Sequence, residues 1–208
     1  MIIIKTKTLA ESWRLSFKEL YLHGEESKEK NFYRYSPAII EIEDINKDLY
    51  DNKFPMSKAD IKIINDYLVT GKNENLVTHE WTKLYRKRLF SPKLNQIENI
   101  IEYLKKKSTG KRAQACVWNQ AVDLYGNIGP CLQLIWVQVI KGHLEMHTHM
   151  RASDCYGKLL MNLNEFTALQ RYITQRLNLK TGHYIQFIDS LHFNLDDKKN
   201  IDKIIKEI

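Results

Sequence analysis

The sequence predicts a single α+β domain in which helices pack on a large, mixed or mostly antiparallel sheet, and three observations predict it. Before Gly110 the apolar residues recur at helical spacing. After Gly110 the texture changes to alternating and near-continuous apolar runs with turn signals between them. The length, 208 residues, suits one sizeable core, so residues 1–208 are read as one domain.

The elements follow in order. Met1-Ile2-Ile3-Ile4 is a first strand, too short for a signal-peptide core and ended by Lys5. Thr8 can cap a helix that presents Leu9, Trp13, Phe17 and Leu20 on one face and stops at Gly24. The polar span from Gly24 to Tyr35 reads as a loop. Ala38 to Glu43 alternates like a strand. Ser57 and Asp60 resemble a capping box for a helix that carries Ile61, Ile64 and Leu68 and ends at Gly71. Ser91-Pro92 opens another helix, with Leu94, Ile97, Ile101 and Leu104 inward.

In the second half, Arg112 to Trp118 alternates, with Arg112, Gln114, Cys116 and Trp118 on one side. Cys131 to Ile140 is almost continuously apolar, the pattern of a buried strand. Lys141-Gly142 is a turn, so the next strand pairs antiparallel. That strand puts His143, Glu145, His147, His149 and Arg151 on one face. Leu159 to Leu177 is a long helix, His183 to Ile188 a strand, and Asn200 to Ile208 a short terminal helix.

Composition narrows the setting. Hydrophobic residues make up 43% and charged residues 27%, as in globular domains. No apolar run approaches the ~20 residues a membrane helix needs. The three cysteines, Cys116, Cys131 and Cys155, have neither disulfide nor zinc spacing, which predicts a reducing, cytoplasmic setting. The net charge of +7 sits largely in lysine pairs and suits an anionic nucleotide as well as a polymer. No nucleic-acid fold signature accompanies it, so nucleic acid is not the expected partner. His147, His149 and Glu145 share a strand face, a set too short in range to predict a metal centre over a polar face or a subunit interface.

The chemistry concentrates at Gly129-Pro130-Cys131. A cysteine at the start of an apolar strand, with Arg151 at the far end of the next, suggests a nucleophile beside an anion site. The thiolate is the reactive form, and a guanidinium both favours it and grips phosphate. The plainer reading is a small core residue and a strand-end arginine. Asp154 and Asn162 follow; taken alone, they are a turn aspartate and a polar residue at a helix start. Tyr85 alone is a core aromatic with a polar tip.

Taken together, Lys111-Arg112, Trp118-Asn119, Pro130-Cys131, Arg151-x-x-Asp154, Asn162, Phe166, Gly182 and Ser190-x-His192 resemble thymidylate synthase and the related pyrimidine nucleotide hydroxymethylases, with no gap across the stretch. The tract Leu84 to Leu89 and the first half resemble, more weakly, the short methanogen-type branch. The resemblance implies a homodimer with shared sites and C5 one-carbon transfer to a pyrimidine nucleotide, dUMP above all. The donor would be 5,10-methylenetetrahydrofolate or a methanopterin-type analogue. The product would be methylated, or hydroxymethylated if water captures the exocyclic methylene. Cys131 would attack C6 of the base, and Tyr85 would help handle protons. Lys111, Arg112 and Arg151 would hold phosphate, the first two from the partner subunit. Asn162 would read the base, and His192, with Asn194 nearby, the sugar. Asp154 and Trp118 would contact the cofactor.

This sequence departs from the family pattern at several places. Leu132 stands where histidine is common, Ala152 where a phosphate-binding serine is usual, and Asn194 where a tyrosine is expected. The family's general acid/base glutamate has no clear match, Asp66 being the nearest carboxylate. These departures leave two alternatives in view. One is a (d)CMP or CMP hydroxymethylase. The other is a catalytically reduced paralogue that only binds nucleotide or RNA.

Overall fold

The structure, a computed structural model, describes residues 1–28, 31–126 and 129–208. Its centre is a mixed eight-stranded sheet. The strands are β1 (Ile2–Thr6), β2 (Glu25–Glu26), β3 (Phe32–Ile42), β4 (Gln114–Cys116), β5 (Leu132–Ile140), β6 (His143–Met150), β7 (Ser153–Asp154) and β8 (Lys180–Asn194). The main order is β1-β3-β8-β6-β5-β4, with β2 beside β3 and β7 beside β8. The β1–β3, β6–β8 and β7–β8 pairs are parallel, and the other pairs are antiparallel. The helices are α1 (Leu9–His23), α2 (Lys58–Thr70), α3 (Glu80–Leu89), α4 (Gln96–Lys106), α5 (Gln120–Asp123), α6 (Leu159–Leu177) and α7 (Lys198–Ile204). Among the described residues no helix is long and apolar enough to cross a membrane.

Local chemistry explains the boundaries. The Thr8 hydroxyl accepts from the Glu11 N–H and opens α1, as its sequence position requires. Ser57 does the same for α2 toward Asp60, and Gly71 ends that helix at φ 74°, where a side chain would be strained. Lys141 and Gly142 both have positive φ, the backbone of a two-residue hairpin turn, and they join β5 to β6 as expected.

Several expectations are corrected. Part of the 24–35 span is strand β2 and the start of β3, because pairing with β8 runs through Phe32 and Tyr35; residues 29 and 30 lie outside the described residues. Helix α4 is capped by Asn95 rather than opened at Ser91-Pro92, and Leu94 is left exposed. Helix α3 was absent from the periodicity reading because it buries only Thr82, Tyr85 and Leu89 among strongly polar neighbours. Strand β8 is more than twice the length expected, since it pairs with β3 and β6 and also with β7. Helix α7 begins and ends earlier than Asn200 to Ile208.

The helices cover one face of the sheet. Helix α1 packs on β1 and β3, and α6 packs on β6 and β8. The buried face carries Ile4, Ile40, Ile135, Val137, Leu144, Met146, Tyr184 and Ile188. The apolar run of β5 is therefore buried on one side only. Its alternate residues Leu134 and Trp136 lie on the other face, half-exposed. Cross-strand register there aligns Cys116, Leu134, His149, Phe187, Ile39 and Ile3 in one row. Cys116 is exposed in that row, because its neighbours Ala115 and Val117 take the core side.

Candidate active site

Cys131 sits immediately before β5, half-buried, and the hairpin brings Arg151 to it. The Arg151 N–H donates to the Cys131 carbonyl at 2.9 Å. Its guanidinium donates to the Pro130 carbonyl at 3.1 Å and the Gly129 carbonyl at 2.7 Å. These acceptors are neutral, so the guanidinium is held over the cysteine turn without an anionic partner among the described residues. Burial pushes the Cys131 thiol up, and Arg151 pulls it down by a smaller amount. Without a ligand the thiol is the favoured form.

Tyr85 of α3 lies beneath the cysteine. Its hydroxyl oxygen accepts from the Leu132 N–H at 3.3 Å, and its ring packs 5.9 Å from Phe166 of α6. Burial, the nearby Cys131 and the nearby Glu165 hold the Tyr85 hydroxyl protonated. Arg88, three residues on, donates to the Asp123 carboxylate at 2.7 Å and also reaches the Val117 carbonyl. That bridge pulls Asp123 below the usual carboxylate range and ties α3 to the turn that carries Trp118 and Asn119. Trp118 in turn lies against Gly129: a Cβ added there would meet the indole at 3.2 Å.

The floor of the site comes from α6. Asn162, buried near the helix start, places its amide 3.8 Å from the Met150 sulfur, and Met150 pairs with Leu132. Beyond Arg151 the chain bends into β7. The Asp154 carboxylate there accepts from the Tyr156 N–H at 3.0 Å and the Gly157 N–H at 3.1 Å. Burial nonetheless raises its pKa, while Gly157 and His192 oppose the rise. Asp154 pairs in register with His192, whose carbonyl accepts from the Cys155 N–H. Cys155 lies in the turn after β7 and is wholly buried. Trp13 donates its indole N–H to the Cys155 carbonyl at 2.8 Å and so anchors this bend to α1. Asn194 ends β8 beside Phe32, whose ring is 4.6 Å from His192.

The structure therefore gathers Cys131, Arg151, Tyr85, Trp118 and Asn162 around one turn, and Asp154 and His192 on the adjoining strands. It does not bring Lys111 and Arg112 to that cluster. Both are exposed, and their side chains make no hydrogen bond or ion pair among the described residues. The Ser153 hydroxyl is buried without a partner among the described residues, so it faces the interior where Arg151 is exposed. Asp66 ion-pairs with Lys62 on the exposed face of α2. His147 stacks 4.8 Å from Trp136, and His149 bonds Asp189 at 2.9 Å, both on the open sheet face. No group of three metal-ligating side chains lies together among the described residues.

Two features escaped the sequence reading. Glu165 of α6 is wholly buried and pushed up to about 8 by burial, with only a small opposing effect from Thr82. Lys158, just before α6, donates to His79, the residue that precedes α3. His79 is lowered to about 4 by burial and by that lysine, so it stays a neutral acceptor. Neither position had a signal in the sequence, since each looks like a solvated polar residue. A cleft beside Asp154 is lined by Pro55, Met56, Tyr156 and Lys158. The Asp154 carboxylate keeps lone pairs free beyond its two backbone bonds. Together with an aromatic and an apolar wall, it suits the amino and N–H edge of a pterin-like ring.

Residues 26–207 match the thymidylate synthase family. A protein of Methanosarcina barkeri named "Putative thymidylate synthase" is 25% identical over 209 residues, covering 99% of this chain and 95% of that protein. A Methanocaldococcus jannaschii protein of the same name is 25% identical over 210 residues, covering 94% of this chain and 92% of that one. The deoxyuridylate hydroxymethyltransferase of Bacillus phage SP01 is 28% identical over 113 residues, which is 52% of this chain and 29% of that protein.

The electrostatics around the cysteine generate a test that needs no substrate. Arg151 is the cation that opposes the burial of Cys131. Arg151→Gln should raise the thiol pKa further and slow iodoacetamide alkylation of Cys131 at pH 7.5 by about tenfold. The rate is read by peptide mass spectrometry, with exposed Cys116 as the internal standard. Equal Cys131 rates in both proteins would show that the guanidinium does not act on the sulfur.

Proposed function

The chain belongs to the thymidylate synthase family, and we propose that it transfers a one-carbon unit to C5 of dUMP, with Cys131 as nucleophile. The observation that carries this reading is the hairpin that sets the Arg151 guanidinium on the carbonyls of Gly129 and Pro130, over a half-buried thiol. C5 of uracil is a poor nucleophile. Addition of the Cys131 sulfur to C6 forms an S–C6 bond and pushes the C5=C6 pair toward O4, which makes C5 enolate-like. After C5 bonds the donor carbon, loss of the C5 proton would release the donor nitrogen and leave an exocyclic methylene; addition of hydride from the reduced donor, or of water, to that methylene would restore C5=C6 and expel the sulfur. The donor, 5,10-methylenetetrahydrofolate or a methanopterin-type analogue, supplies the carbon at the formaldehyde oxidation level. Asp154 and Trp118 are the residues that would hold it.

The other roles follow from position. Arg151 meets the nucleotide phosphate and favours the thiolate. Asn162 offers both an N–H donor and a carbonyl acceptor to the uracil edge. His192 and Asn194 lie where a sugar would extend along β8, and Tyr85 lies where a proton near the sulfur can be held. Lys111 and Arg112 stand apart from their own Cys131, beside the open sheet face, where the Trp136 indole donates to the Lys111 carbonyl at 3.0 Å. A second copy packed on that face would bring them to its own phosphate site. The face suits such packing: it exposes Phe187 and Ile3, stacks Trp136 on His147, and leaves the His147 Nε2 buried without a partner among the described residues.

A second reading has support too. Leu132, Ala152 and a thiol held protonated by burial favour a paralogue that binds a nucleotide without turning it over. Incubation with 5-fluoro-dUMP and donor separates the two readings. A covalent adduct should appear by intact mass, vanish in Cys131→Ala and persist in Cys116→Ala. Absence of an adduct with the uracil, cytosine and ribose analogues alike would select the binding-only paralogue.

Base choice should rest on Asn162. Uracil presents an acceptor at O4 and a donor at N3, and cytosine presents the reverse. A neutral amide meets the first pattern, while a carboxylate accepts from the cytosine amino group. Mispairing a buried polar group costs ~1–3 kcal/mol. Asn162→Asp should thus lower kcat/KM on the uracil nucleotide by about 5- to 150-fold and raise relative activity on the cytosine one. A wild type that already prefers cytosine would move the chain to the cytidylate hydroxymethylases.

The shared-site arrangement is checked by complementation. Inactive Cys131→Ala and inactive Arg112→Ala are mixed after reversible dissociation. Random reassortment should restore up to roughly a quarter of wild-type activity, from one intact site per heterodimer. No recovery, with exchange confirmed, would place Arg112 within its own subunit's site.

A further inference from the structure

Lys158 is the single cation that lines the cleft beside Asp154 among the described residues. The cleft has a volume of about 480 Å3, within the range of small-molecule sites, and its other charged groups are Asp60, Asp154 and Asp197. Three carboxyl groups against one ammonium make it a poor place for an anion. A lysine there serves a neutral acceptor better than a charged one.

The fold places this lysine. Its backbone N–H donates to the Asp154 carbonyl at 3.1 Å, which sets it one turn beyond the aspartate. Its side chain donates to Nε2 of His79, an imidazole that burial keeps neutral, so one ammonium N–H is tied and two are left for a ligand. Asp154 and Asp197 lie near enough for their charge to oppose the effect of burial on the lysine. Asp154 is placed as firmly. One of its oxygens accepts the Tyr156 N–H, the other accepts the Gly157 N–H, and each keeps a lone pair. Gly157 is needed for this pose, since a Cβ there would meet the carboxylate at 2.8 Å. Between walls of Pro55, Met56 and Tyr156 the cleft thus presents two acceptors and a nearby donor.

A 2-amino-4-oxopteridine carries the matching edge. Its 2-amino group and N3–H donate, and the adjoining C4 carbonyl accepts. We propose that Lys158 is a specificity-determining residue of the one-carbon donor site: it donates to the C4 carbonyl of the ring whose amino and N–H edge Asp154 accepts, and His79 is the residue that positions it. This deepens, and rests on, the reading of Asp154 as a residue that holds the donor. A ring with an amino group at C4 turns a donor toward the lysine and gains nothing from it.

The test uses the full chain, excess dUMP and two tail-free probes, 6-hydroxymethylpterin and 2,4-diamino-6-hydroxymethylpteridine. They differ in whether C4 bears a carbonyl or an amino group, and the lack of a tail makes them serve for either donor class. Affinities are read by fluorescence titration of the pteridine. Lys158→Met should weaken the 4-oxo ring about tenfold and leave binding of the 4-amino ring unweakened. His79→Leu should weaken the 4-oxo ring about threefold, again without loss for the 4-amino ring, and should add nothing in a Lys158→Met background. Equal losses for the two rings would mark a merely structural role and overturn the proposal. An effect of His79→Leu that survives Lys158→Met would overturn the positioning role. Binding of the 4-oxo ring that is indifferent to Lys158 but lost in Asp154→Ala would sink this assignment and leave the donor site standing. A wild type that binds neither ring would remove both.

Discussion

The site depends on one constraint, the register of the β5–β6 hairpin. A two-residue turn at Lys141 and Gly142 fixes the pairing from Ile140–His143 to Leu134–His149, and a register shift between Leu132 and Leu134 then sets Leu132 opposite Met150, so the residues flanking the hairpin meet. Cys131 and Arg151 are those residues, and the arginine N–H closes on the cysteine carbonyl. A slip of one residue would turn Arg151 toward the helices and carry Met146 and Met150 into solvent. The hydrophobic effect that buries one face of β6 is thus the same force that aims the arginine at the thiol.

Around this pair the fold spends interior volume on polar groups. The Thr148 and Tyr184 hydroxyls meet at 2.7 Å, and Tyr184 donates to Gln186 at 2.6 Å. The Gln170 amide spans the carbonyls of Leu144, Gly182 and His183, where the β6–β8 ladder shifts register. Gly182 is needed there, since a Cβ would meet the Leu144 carbonyl at 3.0 Å. Only Gln170 Oε1 and Gln186 Nε2 of these groups stay buried without a partner among the described residues. Tyr85 and Glu165 are the part of the layer that is held neutral by burial and left with capacity to spare. A layer of neutral hydroxyls and acids under a thiol lets protons and hydrogen bonds shift without creating an unpaired buried charge.

The opposite sheet face shows a different economy. It carries the Cys116–Leu134–His149–Phe187–Ile39–Ile3 row beside ion pairs such as Lys5–Glu41 at 2.9 Å. Exposed pairs of this kind contribute little stability, so the face is tolerated in water rather than held by it. Lys111 and Arg112 border it as uncommitted cations. Part of the +7 charge therefore borders this face, although lysines elsewhere on the helices are solvated in the ordinary way.

Much of this was legible in the sequence, because local chemistry dictated it. Thr8, Ser57 and Gly71 set helix ends through their own side chains or lack of one, and the alternation of β6 named the face of each residue. The spacing from Cys131 to Arg151 needed a hairpin to become a contact, and also the register shift between Leu132 and Leu134 that the sequence did not signal. Other features were decided by tertiary structure. Helix α3 is held in place by Tyr85 beneath the cysteine and by Arg88 on Asp123, partners far away in the chain, so its polar sequence carried no periodic signal. The length of β8 was set by three neighbouring strands, and half the apolar run of β5 was left outside because helices cover one face alone. Glu165 is the sharpest case. A glutamate on an amphipathic helix belongs by default on the wet side. Helix α6 is buried on nearly every side by α1, α2, α4 and the sheet, and only that packing removes the water that would otherwise keep the group ionised.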